Sequence, residues 1–318
     1  MDELTYLKNF NMGREIELAG QFLYEAIHTF NKLEHFEHEA PINYFLYHAS
    51  VGFERLQKVI LVLYECHDIT SYENLREKIK SHNYVKLQNM ITECTKIKLK
   101  PTQNSFLDLL EDYYRTYRYG GYELPTENID VRDFLVRYLN KYFNNEIISF
   151  AEYNVEKLPK YKKFIYKVIG QLAKLYFDII QKKARVLNIY TYELNYDSAA
   201  YKLFYGSYED DSFTELVNNE EFALKELLIF MANHNQNSKF WEFLKNIQPL
   251  ELDIYQLNDY LEDICKYKSS STLTDMVTTL YEEFEKTDLI ERKEMLSAIG
   301  NPNICFDYDE ENDIEEEL

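Results

Sequence analysis

Glycine and proline are scarce in this chain, which contains 8 Gly and 6 Pro among 318 residues. A turn-rich β protein needs more of both, and glycine-rich loops are what hold phosphates in many nucleotide sites. Neither GxGxxG nor GxxxxGK followed by Ser or Thr occurs in the sequence, so Rossmann-type and P-loop nucleotide-binding domains have no support. These absences leave a helical fold as the favoured class.

The four cysteines are too far apart to form a cysteine metal centre or a disulfide framework. They contain no CxxC pair, which is typical of a protein from the reducing cytoplasm. The N-terminal MDELTYLKNF lacks the apolar core of a signal peptide, and the longest apolar run, VILVLY, is too short to cross a bilayer. We therefore expect a cytoplasmic protein without membrane segment, metal or cofactor.

Acidic charge is concentrated towards the C-terminus. The net charge is −20, and residues 1–190 contain 26 Lys and Arg against 25 Asp and Glu, whereas residues 191–318 contain 9 against 30. Nucleic acid would be repelled by the acidic part and could approach only the first part. The acidic part could be an ordinary solvated surface, or a surface that binds a basic protein partner or mimics nucleic acid. Residues 306–318, of which eight of 13 are Asp or Glu, are predicted to be disordered.

Apolar side chains recur with the 3.6-residue period of an α-helix along nearly the whole chain. This pattern predicts an all-α protein of about ten to twelve helices, among them segments 14–31, 42–65, 104–118, 131–149 and 160–186. Pro41 suits the start of the second of these, because its missing N–H would lack a partner there. The only strand candidate is the weak pattern LNIYTYEL, which begins at residue 187.

Turn residues divide the predicted helices into parts. The loop GGYELPTENID is the clearest boundary in the first half of the chain. We therefore expect an N-terminal helical bundle over residues 1–122, a second helical region over 123–305, and the tail 306–318. Within the bundle, the sequence TSYE matches a capping box that would start a short helix at Thr70, and Ser81 is the expected cap of the next helix.

Three short motifs follow one another within residues 14–120. FLYHASVGFERLQKVILVLYE contains Glu54 and Lys58 in a Glu-x-x-x-Lys spacing, SHNYVKLQNMI opens a helix at His82, and YYRTYRYGGY ends a helix with arginines between tyrosines. In order and spacing they resemble the HEPN family, helical-bundle domains found in prokaryotic toxins, antiviral-defence proteins and nucleotidyltransferase partners. The resemblance covers about a third of the chain and implies an antiparallel bundle.

Catalytic HEPN members are metal-independent ribonucleases that act as dimers and carry Arg, four to six further residues, and then His. REKIKSH places Arg76 and His82 with five residues between them. The resemblance implies that His82 moves a proton at a 2′-hydroxyl or a leaving oxygen, since imidazole titrates near pH 6.5, while Arg76 holds the phosphate. It also implies a homodimer. The expected RNA contacts are Glu54, Lys58, Asn83, Arg115 and Arg118.

Alternative interpretations stay open for the same residues. In catalytic members the Arg–His pair opens the last helix of the bundle, whereas here the last helix carries Arg115 and Arg118 with no histidine after them. His82 could instead be a structural residue at a helix N-terminus, and Glu54 with Lys58 an ordinary solvated i,i+4 ion pair. The chain would then be a non-catalytic regulatory protein whose acidic region binds a partner.

A basic segment precedes the acidic region. Residues 157–185 hold nine Lys or Arg against a single acid, Asp178, and an apolar stripe runs along the same predicted helix. The segment could be a core helix with a solvated basic face, a surface for the phosphates of RNA, or a docking site for the chain's own acidic part.

Overall fold

A computed structural model of the protein describes residues 1–33, 35–80, 82–117, 130–143, 158–195, 239–266 and 272–300, with the single positions 198, 200, 201, 204, 228, 229, 231 and 304. All regular structure in these residues is helical, and no strand occurs in them, so the predicted all-α class is confirmed. Contacts between residues divide the chain into two units, Met1–Asn218 and Asn219–Leu318.

Within the described part of the first unit, the α-helices are α1 (Glu3–Tyr6), α2 (Met12–Asn31), α3 (Glu39–Glu65), α4 (Ile69–Ile79), α5 (Tyr84–Thr95), α6 (Pro101–Asp112), α7 (Val131–Tyr142) and α8 (Leu158–Val186). Wider π-helical turns precede α2 at Leu7–Asn11 and extend α6 at Tyr113–Tyr117, and a 3₁₀ turn covers Tyr192–Leu194. The apolar periodicity located the long helices α2, α3 and α8 to within three residues at each end.

Helix α3 lies at the centre of the first unit and contacts α2 and each of α4 to α8. Fifteen of its 27 residues are buried, which is the pattern of a helix enclosed on nearly all sides rather than one with a single apolar stripe. Its most extensive contact is with α2, where the rings of Phe30 and Phe45 meet with their centroids 4.5 Å apart. Any polar residue on the buried part of α3 therefore needs a partner within the bundle.

Helices α7 and α8 complete the same core instead of starting a second one. Tyr176 of α8 packs edge-on against Phe53 of α3, with ring centroids 6.2 Å apart. The observed division after Asn218 therefore differs from the boundary expected at residue 122, because the first six helices need α7 and α8 to cover α3 and α6. Most of the expected boundary loop and all of the tail 306–318 lie outside the described residues.

Two of the expected helix caps are wrong. At the start of α4, the Asp68 side chain accepts a hydrogen bond from the Ser71 backbone N–H at 2.7 Å, and the Ser71 hydroxyl accepts one from the Asp68 N–H at 2.9 Å. This capping box replaces the one expected at Thr70, because the carboxylate two residues earlier is the better placed acceptor. At the start of α5 the cap is Asn83, whereas Ser81 lies outside the described residues.

The strand candidate at residue 187 is also wrong. The backbone of Asn188 has a φ of 54°, a left-handed conformation that interrupts extended chain, and the 3₁₀ turn Tyr192–Leu194 follows it. At the start of α3, Pro41 is the third helical residue rather than the first, since the helix begins at Glu39.

The described helices of the second unit are α9 (Lys239–Asn246), α10 (Leu257–Lys266), α11 (Thr272–Glu282) and α12 (Lys286–Ala298), with a 3₁₀ turn at Ile254–Gln256. Among the residues of this unit whose side chains the structure describes, Tyr260 alone is buried, while Ile254 and Tyr255 are 71% and 95% exposed. Across the described residues of both units, none of the helices combines the length and the apolar composition that crossing a bilayer requires.

Gly52 lies where α3 packs on α2, and a side chain there would collide with the neighbouring helix. A Cβ on Gly52 would lie 2.7 Å from Cγ of the buried Leu23 and 3.2 Å from the backbone oxygen of Ala19. We therefore expect Gly52→Val to lower the free energy of unfolding by about 1–3 kcal/mol, measured by chemical denaturation.

Asn74→Val is the matched control for this substitution. It introduces the same β-branched residue at an exposed position of α4, where we expect a change of less than about 0.5 kcal/mol. Equal effects of the two substitutions would contradict the tight approach of α2 and α3.

Candidate functional site

The structure joins His82 to Glu54 through a direct contact between their side chains. His82 lies in the connector between α4 and α5, and its Nδ1 is 3.0 and 2.9 Å from the two carboxylate oxygens of Glu54. The Glu54 side chain projects from the middle of α3 and is 11% exposed, whereas that of His82 is 49% exposed. The pair therefore links a nearly buried carboxylate to an imidazole that solvent can reach.

Lys58, one turn after Glu54 on α3, is the second partner of the carboxylate. Its Nζ donates a hydrogen bond to Glu54 Oε1, while the hydroxyl of Tyr84 is 3.5 Å from Oε2, too far for a strong hydrogen bond. A carboxylate that is largely removed from water needs such partners. The expected i,i+4 pair is thus present, but it is partly buried rather than fully solvated.

The contact with Glu54 decides which nitrogen of the imidazole carries hydrogen. An ionised carboxylate only accepts hydrogen bonds, so Nδ1 of His82 is the protonated nitrogen and donates to Glu54. In the neutral ring the lone pair is then on Nε2, which is the atom that can take a proton. This is the arrangement of a general base that a carboxylate orients.

A π-helical turn brings an aromatic ring onto the imidazole. Two consecutive tyrosines are buried in the turn Tyr113–Tyr117. The ring centroid of Tyr114 lies 4.7 Å from that of His82, with 33° between the planes, whereas the hydroxyl of Tyr113 donates to the Asn43 side chain at 2.5 Å. The ring of Tyr114 and the carboxylate of Glu54 together restrict the orientation of His82. Such π turns are frequent at functional sites.

Buried amides hold the first turn of α5 against α3. Nε2 of Gln57 donates to the backbone oxygen of Tyr84 at 3.1 Å and to the hydroxyl of Tyr176 at 3.2 Å. Tyr176 in turn donates to Oε1 of Gln88 at 2.5 Å. Burial raises the pKa of Tyr176, so its phenol stays a donor at physiological pH. The network connects α3, α5 and α8, and it fixes the backbone two residues after His82.

Asn83, one of the expected RNA contacts, uses both of its polar atoms within the fold. Its Oδ1 accepts from the Lys86 backbone N–H at 2.6 Å and caps α5, and its Nδ2 donates to Oε1 of Glu111 on α6 at 2.7 Å. Oε2 of Glu111 accepts from the Val85 N–H at 3.1 Å. A carboxylate in this place is favoured because the first turn of a helix presents unpaired N–H groups and the positive end of its dipole.

The expected arginines make no described contact with this pair. Arg76 is exposed on α4, and among the described residues no hydrogen bond or ion pair joins it to His82 or Glu54. The side chain of Arg115 is 76% exposed, and Arg118 lies outside the described residues. The described contacts thus unite one imidazole, one carboxylate and one lysine, which are too few ligands for a zinc site.

Sequence reasoning missed two side chains that support the pair, Tyr114 and Gln57. Tyr114 lies in the motif YYRTYR, in which only the arginines were interpreted as functional. The adjacent tyrosines of this motif could have indicated an aromatic contact. Gln57 interrupts the apolar stripe of α3. A polar residue in such a stripe indicates a buried hydrogen bond, so Gln57 could have been found from the sequence.

A separate cavity of about 410 Å³ is lined by α2, by His48 of α3 and by Ala200. Nδ1 of His48 is buried there and has no hydrogen-bond partner among the described residues, and burial lowers the pKa of its imidazole. Neither Glu54 nor Lys58 is among the described residues that line this cavity.

Asn83→Ala is expected to lower the free energy of unfolding by about 1–2 kcal/mol, because it removes both the acceptor that caps α5 and the donor to Glu111. Asn83→Ser keeps a capping acceptor and is expected to lose less. Denaturant unfolding measures both losses. An alanine variant as stable as the native protein would contradict the structural role of Asn83.

No protein-family model matches the chain, and no curated protein or solved structure matches it significantly. Its function therefore has to be inferred from the geometry of the site.

Proposed function

We propose that this chain is a HEPN-like effector that acts on RNA, with His82 as the acid–base group of a metal-independent endoribonuclease. The observation that supports the proposal is the contact of His82 Nδ1 with the Glu54 carboxylate at 2.9 and 3.0 Å, on an imidazole that is half exposed. A carboxylate that holds an imidazole in one tautomer is a recurring device of acid–base catalysis.

RNA contains its own nucleophile, so the proposed reaction needs no cofactor. Nε2 of His82 takes the proton of a 2′-hydroxyl while the 2′-oxygen attacks the adjacent phosphorus and the bond from phosphorus to the 5′-oxygen breaks. The leaving 5′-oxygen takes up a proton from an imidazolium or from water. The products are a 2′,3′-cyclic phosphate end and a 5′-hydroxyl end. Glu54 becomes a positioning residue in this scheme, because it touches the imidazole rather than the RNA.

The negative charge that builds on the phosphate requires a cation. We assign this role to Arg76, with Arg115 and Arg118 as further phosphate contacts. Since no described contact joins Arg76 to His82 within one chain, a homodimer in which a second copy supplies the arginine is the assembly that fits the proposal. The charge distribution agrees with RNA approaching the first 190 residues, because the acidic excess lies after them.

Cleavage of single-stranded RNA in the presence of a chelator tests the proposal. We expect His82→Ala to lower the cleavage rate by about 10²- to 10⁴-fold, the usual contribution of a general acid–base group. Glu54→Gln should lower it by a smaller factor and change the pH–rate profile, because the imidazolium loses its carboxylate. His67→Ala is the matched control, since His67 is an exposed histidine in the connector after α3 and should leave the rate unchanged.

Mixing His82→Ala chains with Arg76→Ala chains tests whether the site is shared. Partial recovery of cleavage in the mixture is expected if one protomer supplies the imidazole and its partner the guanidinium. Full cleavage by a folded His82→Ala variant would overturn the assignment of His82. A wild-type chain that cleaves no RNA, with or without chelator, would overturn the ribonuclease proposal.

A second candidate function is a non-catalytic, regulatory interaction of the acidic C-terminal part with a protein partner. Two features favour it. The residues after 190 carry 30 acidic side chains against 9 basic ones, and Ile254 and Tyr255 are 71% and 95% exposed next to each other. An exposed tyrosine beside an exposed aliphatic residue, within an acidic surface, has the chemistry of an anchor for a basic partner.

A photo-crosslinking residue at position 255 is expected to capture that partner. The purified partner should then bind the wild-type chain and lose at least about tenfold in affinity when residues 306–318 are deleted or when Ile254 and Tyr255 are both replaced by serine. Tyr190→Ser is the control, because Tyr190 is a similarly exposed tyrosine of the first unit at 79%. Unchanged affinity in the double variant would contradict this function, and His82→Ala should not affect the binding.

A further inference from the structure

The connector between α2 and α3 gathers two imidazoles and a carboxylate. In the sequence HFEH, one ligand atom from each of His35, Glu37 and His38 lies within 4.8 Å of the other two, and the two imidazole centroids are 4.9 Å apart. Two zinc ligands in a tetrahedral site, with bonds of about 2.1 Å, are about 3.4 Å apart. Side-chain movements of about 1–2 Å would therefore bring the three groups to coordination distance.

We propose that His35, Glu37 and His38 bind a zinc ion, with one coordination position left to water or to a further ligand. Two imidazoles and one carboxylate are an established ligand set of zinc, and Co²⁺ accepts the same nitrogen and oxygen donors. The RNA chemistry proposed for His82 does not depend on this ion.

The connector is anchored at two residues between His35 and His38. The ring of Phe36 packs against the core, with its centroid 6.2 Å from that of Tyr161 on α8. Nη1 of Arg132 donates to the Glu37 backbone oxygen at 2.5 Å, and Asp130 balances the charge of Arg132 by accepting from its Nε at 2.8 and 2.9 Å. Ligands on an anchored segment lose less conformational entropy when they bind a metal.

The side chains are already turned towards one another. Nδ1 of His35 accepts from the Glu37 backbone N–H at 3.3 Å and lies 3.9 Å from Oε2 of the Glu37 carboxylate. His38 is the N-cap residue of α3, but its side chain makes no capping hydrogen bond. Its coordination to an ion would therefore cost the helix no capping hydrogen bond, and the ion would tie the connector to the start of α3.

Titration of the untagged, metal-free full-length chain with Co²⁺ tests the proposal. We expect visible absorption of low-coordinate cobalt that saturates at one ion per chain and disappears when Zn²⁺ is added. His35→Ala and His38→Ala should each weaken the affinity at least about tenfold, since even residues that only orient metal ligands contribute that much. His67→Ala is the control and should bind cobalt as the wild type does.

Thermal unfolding provides the second readout. Because an ion that binds only the folded chain stabilises it, zinc should raise the unfolding midpoint of the wild type and of His67→Ala, but not that of His35→Ala or His38→Ala. Circular dichroism confirms that the variants are folded. Wild-type chain without cobalt absorption, or unchanged cobalt affinity in folded His35→Ala and His38→Ala, would overturn the proposal.

Discussion

The candidate site depends on one carboxylate that needs hydrogen-bond donors inside a helical bundle. Glu54 projects from the most enclosed helix of the first unit, and its side chain is 11% exposed. Water cannot surround it, so hydrogen-bond donors must. Lys58 supplies one through helical spacing, and the connector before α5 supplies the other through His82. The orientation of the imidazole therefore follows from the solvation of Glu54 within the fold, before any ligand is bound.

Helix α3 carries a second buried polar side chain that needs hydrogen-bond partners within the bundle. Gln57 lies one turn beyond Glu54 on the face towards α5, and its amide nitrogen donates to the Tyr84 backbone oxygen and to the Tyr176 phenol. Hydrogen-bonded polar groups in a core allow fewer alternative packings than apolar contacts do, because their partners are directional. The two polar residues thus determine how α5 seats on α3, and with it the position of His82.

The fold class could be predicted from the sequence because helical periodicity is a local property, and α2, α3 and α8 each carry it over many turns. Cap positions were harder, since Asp68, Thr70 and Ser71 all offer side-chain oxygens within four residues and geometry selects among them. Glu54 and His82 were recognised separately as candidates. Their contact could not be derived, because residues 28 apart meet only through the packing of α5 on α3.

The division of the chain could not be predicted either. A loop rich in glycine and polar residues separates two helices. Its sequence does not indicate whether the helix after it packs on the core of the preceding helices or forms a separate core. Phe53 and Phe106 on the first helices are covered by Tyr176 and Tyr138 from beyond the expected boundary. Helical periodicity shows which face of α3 or α6 is apolar. It does not show how many neighbouring helices are needed to bury that face.

The π turn at Tyr113–Tyr117 has a consequence for how this region can change. Tyr113 and Tyr114 are both buried in it, one bonded to Asn43 and the other against His82. A π turn holds one more residue than an α-helical turn. Deletion of one residue from the turn would rotate at least one of the two rings away from its present partner. Chain length in this turn is therefore as constrained as the identity of its side chains.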